Sequence, residues 1–205
     1  MDGTLVDSTA IVERCWEHWG RRYGIRLAEI LLFSHGRPTL ETMEHFRPGA
    51  DHSGDAAEML RTEVTDTEGV VAVAGANAAV LACAGGRWGV VTSAPRKLAE
   101  VRLKAAGLPV PDVLVTVEQI ERGKPDPEGF LLAAALLGVA PAECVAFEDT
   151  GPGIEAATRA GMCAIALLTT VPREQLGCQY AIRDFRDAII TCQGDGFEVN
   201  LRSQM

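Results

Sequence analysis

Four short segments of the chain concentrate residue types that can move a charged group. They are Asp2-Gly3-Thr4-Leu5-Val6-Asp7-Ser8, Val91-Thr92-Ser93-Ala94, Gly123-Lys124-Pro125-Asp126-Pro127, and Phe147-Glu148-Asp149-Thr150 with Gly151 and Gly153 beyond it. Taken singly, each has an ordinary explanation. Thr92-Ser93 after a strand can simply cap the next helix, Lys124 can be a solvated loop lysine, Glu148-Asp149 a surface turn, and Asp2-Gly3-Thr4 an N-terminal turn. Together they supply carboxylates for a hard cation, hydroxyl and amide donors for an anion, and a fixed positive charge. Those are the needs of phosphoryl transfer, in which positioning and charge neutralisation do most of the work.

The elements that must position these residues are legible in the second half of the chain. Trp88 to Thr92, Val113 to Val115, Cys144 to Phe147 and Cys163 to Leu168 are short apolar runs without alternation, which reads as strands buried on both faces. Between them, helices are expected over Pro95 to Ala106, over Pro127 to Leu137 with Phe130, Leu131, Ala134 and Leu137 near one face, and from about Ile154 to Ala160. Gly107, Gly138 and Gly161 stop them. The fold class is therefore α/β, a doubly wound, Rossmann-like parallel sheet, and three of the four segments fall just past the carboxyl ends of strands, where such sheets bind ligands. Gln193-Gly194-Asp195-Gly196 before Phe197-Glu198-Val199 signals a short edge hairpin.

The stretch from Ala10 to Asp66 differs. Ile11 to Tyr23 is helical in pattern, with Cys15, Trp16 and Trp19 beside Ile11; Leu27 to Phe33, Thr39 to Phe46 and Gly54 or Asp55 to Glu63 read as three more helices, with no strand among them. A helical insert in an α/β chain is expected to be a cap, giving a core over 1–9 and 69–205, a cap over 10–68, and a linker from Glu68 to Ala74. With 28 acidic and 19 basic residues the net charge is −9, and no long basic block exists, so nucleic acid is an unexpected partner. No apolar run approaches the roughly 20 residues of a membrane span. The N-terminal MDGTLVDSTA lacks the features of a signal peptide. A cytoplasmic monomer is the expectation. Six cysteines show no C-x-x-C pair; Cys144 and Cys163, inside apolar runs, read as small buried hydrophobes rather than reactive thiols.

The four segments resemble the four motifs of the haloacid dehalogenase superfamily of phosphohydrolases, over nearly the whole chain. DGTLVDS resembles the first motif, VVTSA the second, GKPDP the third and FEDTGPG the fourth. The helical insert is similar to the cap of the subgroup that includes β-phosphoglucomutase and small sugar phosphatases. SHGRPTLETMEHF, TEGVVAVAGA and ERGKPDPEGFLLAAALLG look most like bacterial hexitol and sugar phosphatases. The resemblance implies Mg²⁺ as cofactor and a small phosphorylated sugar or polyol as substrate. It implies that Asp2 is the general acid/base, its main-chain carbonyl a metal ligand, and that Asp149, with Glu148 nearby, holds the metal. Thr92 would hold the transferring phosphoryl group with the N–H groups of Ser93 and Ala94. Lys124 would offset the clustered negative charge, so that Lys124→Ala should abolish turnover and leave the fold intact. Arg37 stands where cap residues of the group face the site and is a candidate substrate contact, although a solvated arginine fits equally; His35 is assigned to cap packing.

One departure matters. The superfamily's first motif is Asp-x-Asp-Gly-Thr, whose first Asp is the nucleophile; Met1 occupies the x position, so the nucleophile would lie one residue before Met1, and the apolar middle strand that leads into it is missing too. A sheet without its central strand leaves two rows of backbone groups unpaired, at about 1–3 kcal/mol for each buried group, against a typical total stability of roughly 5–15 kcal/mol. A longer form carrying four to six apolar residues and then Asp upstream is therefore expected. The chain as given would be inactive. A mutase like β-phosphoglucomutase, and an inactive protein that binds phosphorylated ligands, remain as alternatives.

Overall fold

Apolar runs punctuated by glycine become the regular elements of the computed structural model, which describes residues 1–34, 37–194 and 196–202. The chain enters through a tight turn wound on the Met1 carbonyl, which accepts the N–H groups of Thr4, Leu5 and Val6 at 3.1, 2.8 and 3.1 Å. A two-residue strand, β1 (Val6–Asp7), follows. Helix α1 (Thr9–Tyr23) buries Ile11, Cys15, Trp16 and Trp19 on one face and stops at Gly24, whose φ of 70° suits glycine. Helices α2 (Leu27–Ser34), α3 (Thr39–Phe46) and α4 (Ser53–Thr65) pack Ile30, Met43 and Met59 into the same cluster as the two tryptophans. Asp55 on α4 accepts hydrogen bonds from Trp19 Nε1 at 2.9 Å, Tyr23 OH at 2.7 Å and Arg22 Nη1 at 2.9 Å.

The chain returns through β2 (Val71–Ala72), antiparallel to β1 with Val6 opposite Ala72, inside the stretch read from the sequence as a linker. After helix α5 (Ala76–Ala82) the alternation begins: β3 (Gly89–Val91), α6 (Arg96–Ala105), β4 (Val113–Val115), α7 (Glu128–Leu137), β5 (Val145–Glu148), α8 (Gly151–Arg159), β6 (Cys163–Leu167) and β7 (Tyr180–Ile182). Strands β3 and β4 pair in parallel, as do β5, β6 and β7 in that order. The hairpin of β8 (Ala188–Gln193) and β9 (Gly196–Leu201) closes the chain; Asp195, in the expected turn, lies outside the described residues. This is the doubly wound α/β architecture expected from the sequence. No helix among the described residues is long and apolar enough to cross a membrane.

Three details correct the sequence reading. Helix α8 begins at Gly151 rather than Ile154, because Thr150 caps it by accepting the Gly153 N–H at 3.3 Å and Pro152 is at home in a first turn. On α7 the buried stripe is Gly129, Phe130, Ala133 and Ala134, and Leu131 is 42% exposed. Gly129 lies against Val91, so the helix approaches the sheet along its smallest residues and turns Leu131 outward. Cys163 is exposed and Cys144 only half-buried, since they stand where β6 and β5 begin; the buried cysteine is Cys15.

The sheet is cut in two. Among the described residues β3 pairs only with β4, and β5 only with β6. Neighbouring residues of a strand turn their backbone groups toward opposite neighbours. The Thr92 N–H bonds Val115 O at 2.9 Å and the Cys163 N–H bonds Cys144 O at 3.0 Å, so Val91 on one side and Val145 and Phe147 on the other direct theirs into the gap. The gap is a cavity of about 440 Å³ lined by Gly89, Val90 and Val91 of β3 and by all four residues of β5, with Met1 also on its wall.

Candidate active site

The carboxyl end of β5 carries a cluster of buried polar groups. Glu148 and Asp149 are 3% and 5% exposed. Lys124, from the loop before α7, forms an ion pair with Glu148 Oε1 and places its Nζ 5.3 Å from the Phe130 ring centroid. A Cβ on Gly153 would fall 2.0 Å from Glu148 Oε2, so only glycine lets helix α8 start this close to that carboxylate. Asp149 Oδ1 accepts a hydrogen bond from Thr4 Oγ1 at 2.8 Å, and its Oδ2 accepts one from Thr170 Oγ1. Gly3, at φ 69°, packs so closely that a Cβ there would fall 2.0 Å from Asp149 Oδ2. The N-terminal turn is thus stitched onto the end of β5, with Thr169 Oγ1 donating to Gly3 O.

Burial pushes the Asp149 carboxyl above the usual carboxylate range, and the charge of Glu148 adds to this; the N-terminal ammonium and the hydroxyls of Thr170 and Thr4 only partly offset it. Glu148 and Asp149, two carboxylates adjacent in the chain, offer oxygen donors only. That pair fits Mg²⁺, which binds through one or two carboxylates and completes its shell with water and substrate oxygens. Among the described residues no group of three or more His, Cys, Asp and Glu side chains converges, so a four-ligand zinc cage has no counterpart.

The other expected residues stand apart from this cluster. Thr92, buried at the carboxyl end of β3, accepts the Ala94 N–H on its hydroxyl at 3.1 Å, and Ser93 beside it is exposed. Asp2 does not join Glu148 and Asp149. Its Oδ1 accepts from Ser8 Oγ at 2.9 Å and lies 3.0 Å from Arg102 Nη1. Arg37 pairs with Glu41 and lies over the Phe33 ring, both on the helical block. His35 lies outside the described residues.

Sequence reasoning missed Thr4, Thr170, Arg102 and Glu63 as members of these contacts. Thr169-Thr170 had a signal, since they follow the carboxyl end of β6 as Thr92 follows β3. Arg102 had one too: it falls on the same stripe as Leu98, Ala99 and Leu103, a charged residue on the buried face of α6. Its Nη2 lies 2.8 Å from Glu63 Oε1 on α4. Burial pushes the Glu63 carboxyl up, with Arg102 pulling it down and Asp2 pushing it up.

The profile of haloacid dehalogenase-like hydrolases matches residues 1–161. Hexitol phosphatase A of Escherichia coli is 45% identical over 172 residues, covering 82% of this chain and 80% of that protein. Validoxylamine A 7'-phosphate phosphatase of Streptomyces hygroscopicus is 39% identical over 184 residues, covering 86% of each. The crystal structure of a hydrolase of the same superfamily from Entamoeba histolytica superposes with a TM-score of 0.79 over 91% of both chains; at 24% identity that likeness bears on the fold alone.

Proposed function

Because the chain belongs to the haloacid dehalogenase-like hydrolases, we propose that it is a phosphomonoesterase for small sugar or polyol phosphates, acting through an aspartyl-phosphate whose aspartate immediately precedes Met1. The observation that carries this reading is the position of Met1. It lies on the wall of the strand-wide gap, and the turn that follows it packs Gly3 and Thr4 against Asp149. An apolar strand filling the gap and ending in Asp would deliver that carboxylate beside Thr4, Asp149 and Lys124. The likeness to two phosphatases supports the substrate class.

In this reading Thr92 and the N–H groups of Ser93 and Ala94 receive the phosphoryl group, and Lys124 offsets charge on its oxygens. The upstream carboxylate attacks phosphorus while the P–O ester bond breaks, and Asp2 gives its proton to the leaving alkoxide. Asp2 then takes a proton from a water that attacks the same phosphorus, releasing phosphate and restoring the aspartate. Asp149, Glu148 and the Asp2 carbonyl would hold Mg²⁺, which when bound supplies neutralising charge at the phosphoryl oxygens. Residues 1–9 and 69–205 act as the core, while residues 10–68 act as a cap that closes over the substrate and excludes water. Arg37 would leave Glu41 to meet the sugar or a distal phosphate. The protein works as a cytoplasmic monomer.

The test is phosphate release from hexose, hexitol and glycerol phosphates by a chain extended before Met1 with an apolar strand ending in Asp, with and without EDTA. Steady, metal-dependent release is expected. A phosphoryl group held until a second sugar oxygen attacks would make the protein a mutase instead. Tight binding of sugar phosphates by the extended chain without turnover would overturn the reading.

A further inference from the structure

Arg102 occupies a position that packing alone does not explain. It sits on the apolar stripe of α6, 5% exposed, where a leucine or methionine would complete the face. A buried ion pair is often no better for stability than apolar residues of similar size. Here the fit is also imperfect, since Arg102 Nε is buried without a hydrogen-bond partner. One carboxylate would neutralise the guanidinium, yet it is placed between two. Nη2 meets Glu63 near the end of α4 at 2.8 Å, and Nη1 meets Asp2 of the N-terminal turn at 3.0 Å. The two prongs of one planar fork therefore join the helical block to the carboxylate assigned above as the acid/base.

The contacts on Asp2 are one-sided. Ser8 and Arg102 both bind Oδ1, so one oxygen takes both contacts that orient the carboxylate. Glu63 lies three residues before Asp66, where α4 ends and the chain turns back toward β2. Any displacement of α4 that carries Glu63 with it turns the rigid fork, and the Asp2 anchor turns too.

Resting on the phosphatase reading, we propose that Arg102 is a positioning residue that fixes the Asp2 carboxylate, and that Glu63 makes this positioning depend on where helix α4 stands. Arg102 touches neither substrate nor metal in this arrangement. It acts through Asp2.

Substrates that differ in their need for an acid test the proposal. An alkyl phosphate needs its leaving oxygen protonated, whereas a nitrophenyl phosphate leaves without help, and kcat/KM reports the step in which that bond breaks. In the extended chain, Arg102→Met should lower the alkyl-to-aryl ratio of kcat/KM by at least about tenfold, a fraction of what general acids contribute. Arg102→Lys should restore part of the ratio, because a point charge can serve one carboxylate but not both. Glu63→Gln, which spares the Asp2 contact, should shift it less than Arg102→Met. The double variant Arg102→Met/Glu63→Met should recover the thermal midpoint and not the ratio. Loss of both substrates in parallel, with the ratio unaltered, would show a purely structural role and overturn the proposal. Absence of turnover on either substrate in the unsubstituted extended chain would overturn the phosphatase reading and this inference with it.

Discussion

The four-helix block and the α/β part of this chain satisfy their polar groups in opposite ways. In the block, Asp55 is matched by three donors from α1, Arg14 pairs with Asp66, and Trp16, Trp19, Ile30, Met43 and Met59 close around one another. In the α/β part the sheet is open between β3 and β5, and the polar residues around the opening lean on a few buried pairs, above all Lys124 with Glu148. Among its described residues the block pairs most of its buried polar groups internally, His52 Nδ1 being the exception. The α/β part leaves a strand-wide opening between β3 and β5, beside the carboxylates at the end of β5.

The largest effect that would sharpen this contrast is expected at Lys124. Removing it leaves Glu148 buried without a counter-ion, and breaking such a pair costs about 3–5 kcal/mol. Lys124→Ala should therefore abolish phosphate release and also shift the urea unfolding midpoint markedly. This revises the expectation from sequence that the fold would be indifferent. Lys124→Met/Glu148→Gln should recover most of the midpoint and none of the activity. A single variant as stable as the parent would break the contrast.

A smaller effect is expected in the block. Burial works against ionisation of Asp55, but the hydrogen bonds from Tyr23 and Trp19 and the charge of Arg22 outweigh it and hold the carboxyl below its ordinary 3.8. A depressed carboxyl contributes stability that is fully present above its unfolded value and disappears as pH falls through its folded value. Asp55→Asn should cost about 1–3 kcal/mol at neutral pH. The difference between variant and parent, followed by unfolding at successive pH values, should shrink below the ordinary carboxylate range. A difference that stays constant on acidification would mean that the charge of Asp55 contributes nothing.

Much of this was legible in the sequence wherever the signal was local. The apolar runs of β3 to β6, the stop at Gly24, and the helices of the block follow from spacing and from residues adjacent in the chain. The segments bearing Asp2, Thr92, Lys124 and Asp149 were recognisable as polar clusters, three of the four just past strand ends. Contacts between distant residues were not legible: Thr4 with Asp149, or Arg102 with Glu63 and Asp2, depend on how elements stack, and no short-range pattern encodes that. The outward turn of Leu131 depends on Gly129 meeting Val91, and the exposure of Cys163 on its place at the start of a strand. Both are consequences of packing. The opening between β3 and β5, likewise, is a matter of which strands pair, and it has a volume of about 440 Å³.

The proposed strand between β3 and β5 is most directly tested by amide hydrogen exchange at Val91 and Phe147, in the 205-residue chain and in one extended before Met1 by an apolar strand ending in Asp. Both amides face the gap, so they should exchange readily in the shorter chain and become protected in the longer one, while amides of the block such as those of Cys15 and Ile30 keep their rates. Unaltered exchange at Val91 and Phe147 in the extended chain would contradict a strand between β3 and β5, and with it the placement of the nucleophile.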